Sequence, residues 1–557
     1  MLTDVQIAHS IKPRPIEQIA AELGLWPEDL LPYGRDVAKV ELAALRRPRA
    51  RSAEARLILV SAITPTAAGE GKTTTTIGLG QALRKLGHSA CLALREPSLG
   101  PYLGAKGGAT GGGYSQIIPA GRINLHFTGD FHAITSAHNL LAALLDNHLY
   151  HGNRLRIDPR RILWRRVLDM NDRALRNVIL GLGGARQGVP RESGFDITAA
   201  SEVMAILCLA EDFEDLRRRL DRVLVAFTYD GEPVTAGRLK GTGAMLALLR
   251  DAVLPNLVQT LEGTPAFIHG GPFANIAHGC NSVLATRMAR HHADWAITEA
   301  GFGFDLGAEK FFDIKCTSAG LATAAVVLVA TIRALKQHGG LPRGALGSPD
   351  AEAVRRGLPN LAKHVENIEH FGRHPIVALN RFQNDTEEEL EQVRGFCRDR
   401  EVPLSVCDHH ARGGEGALDL ARLVIERSER EPSLASPLYR ATDSIPDKVL
   451  AVAKKMYGAG SVTFTKAAQA DLLDVKRLGY AELPICIAKT HSSLSDEPGL
   501  RGRPSDFEVT VRNLQINAGA GFLVILTGDM LRMPGLPPAP LAEQMDVIDG
   551  TVVVGTR

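Results

Sequence analysis

The chain has 557 residues, which is more than one hydrophobic core usually organises, so we expect two or three structural units. Hydrophobic residues make up 45% of the sequence and charged residues 23%, a balance typical of a globular protein and not of a disordered one. Lys and Arg (64) nearly cancel Asp and Glu (62), and this lack of a basic excess argues against a nucleic-acid partner.

Cysteine usage and apolar runs indicate the compartment. The seven cysteines are scattered and form no C-x-x-C pair, so we expect reduced, mostly buried thiols. The N-terminal segment mixes charges and prolines from the outset and lacks the apolar stretch of a secretory signal. The longest nearly apolar run, Leu321–Ile332, is too short to cross a bilayer. We therefore expect a cytoplasmic protein with no membrane partner.

Six runs rich in Val, Ile, Leu and Ala are predicted to be strands. They are Leu57–Ile63, Ala90–Leu94, Val223–Thr228, Ala266–His269, Ala325–Ala330 and Ile376–Leu379. Several end in glycine or polar loops followed by helical patterns, which is typical of an α/β fold with a mostly parallel sheet and helices on both faces. Between Phe131 and Tyr150, apolar residues recur at helical spacing and predict an amphipathic helix.

Apolar periodicity breaks at Gly339–Gly347 and again between Arg427 and Ile445, where prolines, serines and charges take over. We predict a nucleotide-binding α/β core of the P-loop NTPase type from residues 1–150 and 251–440. A smaller unit would be inserted at residues 151–250, and residues 441–557 would form a C-terminal α+β domain.

The segment LILVSAITPTAAGEGKTTTT predicts a strand that ends near Ile63, a loop, and a helix that begins near Lys72. Such a loop turns successive backbone N–H groups towards a phosphate, the helix dipole adds positive potential, and the lysine reaches the outer phosphates. The pattern G-x-x-x-x-G-K-[ST] is met except at its first position, where Thr66 stands. The candidate nucleotide-binding residues are Thr66, Ala67, Ala68, Gly69, Glu70, Gly71, Lys72 and Thr73, with Thr73 also the candidate Mg²⁺ ligand.

The next predicted strand leads directly into Arg95 and Glu96. Because neighbouring parallel strands end at the same edge of a sheet, both side chains are expected to face the bound phosphates. An arginine at this position can hold a small carboxylate or an acyl phosphate through a two-pronged hydrogen bond. The alternative is a surface ion pair between sequence neighbours.

Seven glycines lie between Gly100 and Gly113, interleaved with Lys106 and followed by Tyr114. This density permits positive φ angles and close approach of the backbone to a ligand. A flexible linker is the alternative, although linkers rarely carry such side chains among their glycines. We predict that Lys106 and Tyr114 contact a ligand.

Two long stretches, GAKGGATGGGY at Gly104–Tyr114 and VATIRALKQHGG at Val329–Gly340, are distinctive. With these stretches and with TPTAAGEGKTTTT, REPSLGP, DMNDRALRN and AKTHSSLSDEP, the chain resembles the formate–tetrahydrofolate ligases over nearly its whole length. The resemblance implies that formate attacks the γ-phosphate of MgATP to give formyl phosphate. N10 of tetrahydrofolate then takes the formyl group, and ADP and phosphate leave. It also implies a homotetramer and stimulation by a monovalent cation.

The resemblance also implies roles for individual residues. Lys72 and Mg²⁺ would neutralise charge during phosphoryl transfer, since that reaction chiefly requires positioning and charge stabilisation. Arg95 would hold formate and then formyl phosphate. Glu96 and Asp130 would lie near the folate amine and the transferred group.

For folate, the resemblance implies a pterin ring stacked between Phe382 and an aromatic residue at position 410. The family has tryptophan there, and His410 offers less area for stacking. Asn380 follows a predicted strand and is a candidate contact to the nucleotide base. Further departures from the family pattern are Phe304, Thr317, His491 and Ser492.

The loop by itself indicates a nucleotide and not a reaction, so two other classes of protein are alternatives. One is a different P-loop enzyme, such as a small-molecule kinase or an amide-forming ligase. The other is a switch ATPase that recruits a partner or a membrane. Such switches commonly carry a lysine near the start of the loop and a terminal amphipathic helix; Thr66 and residues 540–557 provide neither.

Overall fold

The structure is a computed structural model that describes residues 3–48, 55–66, 69–105, 108–428, 433–528, 530–548 and 551–554. Its strands, in chain order, are β1 Leu30–Pro32, β2 Ala38–Val40, β3 Arg56–Ala62, β4 Ala90–Leu94, β5 Gly111–Gly112, β6 Ser115–Ile118, β7 Ile157–Ile162, β8 Arg166–Leu168, β9 Val178–Leu180, β10 Arg191–Ser193, β11 Phe195–Ile197, β12 Leu224–Thr228, β13 Pro233–Thr235, β14 Asn256–Thr260, β15 Pro265–Ile268, β16 Trp295–Glu299, β17 Ala325–Thr331, β18 Pro375–Asn380, β19 Leu404–Cys407, β20 Ser461–Phe464, β21 Ile485–Ala488, β22 Glu508–Asn517, β23 Phe522–Thr527, β24 Met545–Ile548 and β25 Thr551–Val554.

The α-helices are α1 Asp4–Ser10, α2 Ile16–Glu22, α3 Lys72–Lys85, α4 Leu99–Leu103, α5 Ala120–Asn124, α6 Asp130–Tyr150, α7 Glu202–Leu209, α8 Phe213–Arg222, α9 Thr242–Leu249, α10 Val283–His292, α11 Thr317–Ala319, α12 Ile332–His338, α13 Ala351–Glu369, α14 Glu387–Asp399, α15 His409–Arg412, α16 Leu418–Arg427, α17 Ile445–Val452 and α18 Lys466–Arg477. Each of the six predicted strands and the predicted helix at 131–150 lies within one residue of an observed element.

A large sheet dominates the fold, with the strand order β1-β2-β14-β15-β4-β16-β3-β17-β18-β19. The strands from β15 to β19 in this order all run parallel. At the other end, β1, β2 and β14 pair antiparallel, and β14 also pairs with β6. The predicted α/β fold with a mostly parallel sheet is therefore confirmed.

The strands are hydrophobic throughout because both faces of the sheet are covered by helices. In β3, Leu57 and Leu59 join an apolar cluster that includes α10 and α13. The alternate residues Ile58 and Val60 join a second cluster that includes α3 and α16. Parallel strands covered in this way end at a common edge, and the loops at that edge carry the candidate site.

Smaller sheets form from the remaining segments. The predicted strand at 223–228 is observed as β12, but it lies outside the large sheet, between β7 and β13 in an antiparallel arrangement. Towards the C-terminus, β20, β22, β23 and β21 form a four-stranded sheet. An apolar cluster continues from α6 and α7 into β21 and β23, so the inserted and C-terminal segments share buried surface. The predicted domain boundaries remain a prediction.

All seven cysteines are buried free thiols, as the sequence predicted. Within the described part of the chain, the search for a helix capable of spanning a membrane finds none.

Candidate active site

The loop between β3 and α3 carries two glycines in a left-handed backbone conformation. Gly69 and Gly71 adopt φ angles of +76° and +73°, which residues with a Cβ rarely adopt. The Thr66 N–H donates a 2.7 Å hydrogen bond to Oε1 of Glu70, which draws the two ends of the loop together. Lys72 is the first residue of α3, at the positive end of the helix dipole. Ala67 and Ala68 lie outside the described residues.

Asn380, at the end of β18, supports this loop. Its Nδ2 donates to the backbone oxygen of Glu70 at 2.8 Å, and its Oδ1 accepts from the Thr75 hydroxyl at 3.1 Å. A Cβ at Gly71 would lie 2.9 Å from Nδ2. Both ends of the amide are thus engaged by the loop, and recognition of the nucleotide base by Asn380 remains a prediction.

Glu299, which the sequence reading did not single out, links the loop to Arg95. The Thr73 hydroxyl donates to Oε2 of Glu299 at 2.7 Å, and the Arg95 guanidinium lies 3.5 Å from Oε1. Glu299 is the last residue of β16, which pairs with β3 on one side and β4 on the other. The structure therefore brings Thr73 and Arg95 to the same carboxylate, as expected for neighbouring strand ends.

Burial shifts the pKa values of two charged side chains of the loop, Lys72 and Glu70. Burial lowers the pKa of the Lys72 ammonium, while the carboxylates of Glu70 and Glu299 act in the opposite direction and Arg95 adds to the lowering. Burial also raises the pKa of Glu70, and among the described residues its Oε2 has no hydrogen-bond partner. A bound polyphosphate would supply the negative charge that favours the protonated Lys72.

The oxygen atoms beside Lys72 suit Mg²⁺. This ion prefers hard oxygen ligands and is usually held by one or two protein groups together with substrate phosphates. The hydroxyl of Thr73 and the carboxylate of Glu299 would hold it here. Among the described residues, no group of three or more His, Cys, Asp or Glu side chains forms a separate metal cage.

Glu96 lies in a second, deeper part of the site. It is 6% exposed, and its N–H donates to the backbone oxygen of Gly270 at 2.8 Å. Burial, followed by the negative charge of Asp130, holds the pKa of Glu96 well above its ordinary value. The predicted pair of Glu96 and Asp130 is thus brought together, with Glu96 in its neutral form.

Asp130 is the first residue of α6 and is held by two side chains that the sequence reading missed. The Lys39 ammonium donates to Oδ1 at 2.7 Å, and the Asn256 amide donates to Oδ2 at 2.8 Å. Lys39 lies in the apolar context of β2, where a lysine carries no local signal of its role. Glu299 could have been noticed, because it is an acidic residue that ends an apolar strand two residues before Gly301.

The candidate folate residues lie at the ends of β18 and β19. The strand register pairs Asn380 with Cys407, so the chain leaves both strands at the same edge before Phe382 and His410. Phe382 is 37% exposed, with the Arg333 guanidinium 4.8 Å from its ring centre. The backbone oxygen of His410 accepts from the Tyr114 N–H at 2.8 Å.

The rim around His410 also includes the N-terminal helix. Nε2 of His410 lies 3.8 Å from Oδ1 of Asp4, and the same oxygen accepts a hydrogen bond from the Gly113 N–H at 2.8 Å. Tyr114 is 40% exposed at this rim. Lys106 lies outside the described residues.

His409, beside the predicted folate residue, is a further residue that the sequence reading missed. Its ring nitrogen lies 3.2 Å from the Thr75 hydroxyl, and its Cβ would be 2.7 Å from a Cβ placed at Gly78. Burial lowers the pKa of His409 to about 3, so this ring stays neutral. It ties the loop after β19 to the first turns of α3.

The departures from the family pattern have different structural settings. Phe304 is fully buried against Phe312 and Phe371, so its role is packing. Thr317 donates to the backbone oxygen of Phe312. His491 stacks on Phe302, with ring centres 4.5 Å apart, close to the loop after β16.

The site therefore combines a phosphate-type loop, an arginine beside it, a buried pair of carboxyl groups and an exposed aromatic edge. A model of the formate–tetrahydrofolate ligase family matches residues 2–556, which is essentially the whole chain. The chain belongs to the formate–tetrahydrofolate ligase family, the ATP-dependent ligases that join formate to tetrahydrofolate and give 10-formyltetrahydrofolate in one-carbon metabolism.

Proposed function

We propose that residues 66–73 form a P-loop that binds the triphosphate of MgATP, with Lys72 at the outer phosphates. The left-handed Gly69 and Gly71, the start of α3 at Lys72 and the brace from Asn380 support this assignment. Mg²⁺ neutralises phosphate charge when it is bound, and Thr73 and Glu299 are the residues that would hold it.

Arg95 positions formate in the first step. A formate oxygen forms a bond to the γ-phosphorus, the bond from that phosphorus to the bridging oxygen breaks, and ADP leaves with the bond electrons. The product is formyl phosphate. The proximity of the Arg95 guanidinium to Glu299, and through it to Thr73, supports this role, since a planar guanidinium can hold carboxylate oxygens in a fixed orientation.

Glu96 and Asp130 act in the second step. N10 of tetrahydrofolate forms a bond to the formyl carbon, the carbon–oxygen bond to phosphate breaks, and phosphate leaves. N10 must lose a proton, and a carboxylate at the site can accept it. The pairing of a neutral Glu96 with Asp130 supports this division, because two adjacent carboxyl groups of unequal proton affinity provide both an acid and a base.

Tetrahydrofolate binds with its pterin ring between Phe382 and His410, with Tyr114 along its path, and the predicted contact of Lys106, a residue outside the described ones, stays a prediction. The exposure of Phe382 and the common edge of β18 and β19 support this placement. The family resemblance adds two expectations, a homotetramer and stimulation by a monovalent cation. Light scattering and a comparison of potassium with a bulky organic cation check them.

The observation that carries the proposal is the shared contact of Thr73 and Arg95 with Glu299. Arg95→Lys keeps the positive charge but loses the planar fork, so we expect the KM for formate to rise by about tenfold or more. The affinity for ATP should change by less than about twofold. Phosphate release is measured with formate, in the presence and absence of tetrahydrofolate.

The matched control is Arg84→Lys, because Arg84 lies at the other end of α3 and contacts Glu22 on the surface. This control should retain the wild-type KM for formate. If Arg95→Lys and Arg95→Ala both keep the wild-type rate and KM for formate, Arg95 does not hold this substrate.

A further inference from the structure

We propose that Lys39 is a positioning residue for formyl transfer: with Asn256, it fixes the Asp130 carboxylate in its ionised form beside Glu96. A single proton then resides on Glu96, and Asp130 is free to accept the proton that N10 releases. This inference rests on the proposed roles of Glu96 and Asp130. It adds that Lys39 determines which of the two carboxyl groups carries the proton.

The backbone places the two holding groups side by side. Lys39 on β2 and Asn256 on β14 are cross-strand partners in the antiparallel pair of the large sheet. Both side chains are buried, and each donates to a different oxygen of the same carboxylate, at 2.7 Å and 2.8 Å. Each oxygen of Asp130 therefore accepts a hydrogen bond, and the two donors lie on adjacent strands.

The orientation of Asn256 is itself fixed. Its Oδ1 accepts from the Thr128 hydroxyl at 2.8 Å, and its Nδ2 also lies 3.1 Å from the backbone oxygen of Ile268. The second partner of Lys39 is the backbone oxygen of Leu254, at 3.1 Å. Lys39 is 1% exposed and donates to Asp130, and its charge also acts to lower the pKa of the neighbouring Glu96.

The surroundings of the two carboxyl groups differ, because Asp130 accepts hydrogen bonds from Lys39 and Asn256. Asp130 has the Lys39 ammonium as counterion and stands in the first turn of α6, where the helix dipole stabilises negative charge. Glu96 is buried, and no N–H or O–H group of the described residues donates a hydrogen bond to its Oε2. Burial and the charge of Asp130 raise the pKa of Glu96.

The other titratable groups facing this pair do not replace Lys39. They are Asp169, His269, Tyr33, Cys208 and Arg95. Burial raises the pKa of Asp169 to about 6 and lowers the pKa of His269 to about 4. Burial also raises the pKa values of Tyr33 and Cys208, and Arg95 precedes Glu96 in the chain. Asp169 accepts from Ser98 and from the Leu99 N–H, and His269 donates to the backbone oxygen of Ala252. Asp169 adds negative charge, and His269 is neutral near pH 7.

Removing the ammonium should therefore make Asp130 harder to ionise. Formyl transfer needs the ionised form, so the acid limb of its pH–rate profile should move to higher pH. We expect Lys39→Met to shift that limb upward by about one pH unit or more and to slow folate-dependent turnover about tenfold on the acid side. Formate-dependent ADP release without folate should stay within about twofold of wild type.

Three further variants separate positioning from loss of structure. Lys39→Arg restores a cation and should return the acid limb towards the wild-type position. Asn256→Ala keeps Lys39 and should shift the limb in the same direction by a smaller amount; it also serves if Lys39→Met does not fold. Lys448→Met is the matched control, because Lys448 is equally buried, lies on α17 and donates to the backbone oxygens of Ala481 and Leu483 in the C-terminal segment. It should leave the acid limb unchanged.

The inference is overturned if Lys39→Met folds and its acid limb coincides with that of wild type, or if it loses ADP release in the same proportion as formyl transfer. The proposed function is tested separately by Glu96→Gln and Asp130→Asn. If both retain full folate-dependent turnover, the proposed roles of these carboxyl groups are wrong. If they are slow while Lys39→Met is normal, only the inference about Lys39 fails.

Discussion

The hydroxyl of Thr73 donates a 2.7 Å hydrogen bond to the carboxylate of Glu299, 226 residues further along the chain. The same carboxylate lies 3.5 Å from Arg95. A single acidic residue at a strand end therefore connects the hydroxyl beside the phosphate loop with the guanidinium assigned to formate. Its position between β3 and β4 follows from the strand order of the parallel sheet.

If Glu299 helps to hold Mg²⁺, Glu299→Gln should weaken the dependence of nucleotide binding on this ion. Glutamine keeps the volume and one oxygen but loses the charge that attracts a hard cation. We expect the gain in ADP affinity upon addition of Mg²⁺, measured by titration calorimetry, to fall by about tenfold.

Glu309→Gln is the control for this experiment. Glu309 is also buried, and burial and neighbouring carboxyl groups hold its pKa well above the ordinary value, so the substitution removes little charge at neutral pH. It should leave the effect of Mg²⁺ on ADP binding unchanged. An unchanged effect in Glu299→Gln would show that this carboxylate does not act on the ion.

Two glycines of the phosphate loop allow backbone strain to be separated from a side-chain clash. Gly69 and Gly71 have similar positive φ angles, so an alanine at either position costs about 1–2 kcal/mol of conformational energy. A Cβ at Gly71 would also lie 2.9 Å from the Asn380 amide, whereas a Cβ at Gly69 would meet no atom of the described residues within 4 Å.

We therefore expect Gly71→Ala to weaken ATP binding about tenfold more than Gly69→Ala, because only the former displaces Asn380 from the loop. Equilibrium dialysis with ATP measures both affinities. Equal losses in the two variants would mean that the contact from Asn380 does not maintain the loop.

The KM for tetrahydrofolate should depend on the size of the two aromatic side chains proposed to stack on the pterin ring. His410→Trp enlarges one wall, and the side chain at position 410 is well exposed, so there is room for an indole. We expect the KM for tetrahydrofolate to fall by about threefold to tenfold, and Phe382→Leu to raise it by a similar factor. The KM for ATP should not change in either variant.

Phe213→Leu is a suitable control, because Phe213 is exposed to the same 37% as Phe382 but lies on α8. It should leave all three KM values at wild type. A His410→Trp variant with an unchanged or higher KM for tetrahydrofolate would place the pterin elsewhere.

Glu202 should make stability depend on pH. It is buried, its Oε1 accepts from the N–H groups of Gly519 and Ala520, and burial raises its pKa to about 7. The folded chain therefore retains a proton that the unfolded chain releases above about pH 4.5. Stability from this group is present at acid pH and is lost as the pH rises to about 7, a change of about 3 kcal/mol.

Glu202→Gln keeps the accepting oxygen and cannot ionise. Relative to wild type, its free energy of unfolding should increase between about pH 5 and about pH 8, as measured by urea denaturation. Glu352→Gln, at an exposed helical residue, should show no such increase. A constant difference between Glu202→Gln and wild type across this range would contradict the prediction.

Much of the fold could be predicted because its signals are local. The apolar run of β3 is hydrophobic at every position, as a strand covered on both faces must be. The glycines at 69 and 71 and the lysine at 72 predicted a loop and the start of a helix, and α3 begins at Lys72. The prediction of strand 223–228 was correct in extent, but its place in a separate sheet depends on contacts with β7 and β13.

By itself, then, the sequence determined the α/β class, the position of the glycine-containing loop before α3 and the identity of the family, because each depends on consecutive residues. Tertiary structure decided which distant groups complete the site. Lys39 and Asn256 contact the Asp130 carboxylate, and Glu299 contacts the Thr73 hydroxyl and the Arg95 guanidinium. In each case the contacting residues lie far apart along the chain. Strand order and register decide which of these residues become neighbours. The role of a buried charged residue can be inferred only once its oppositely charged partner is known.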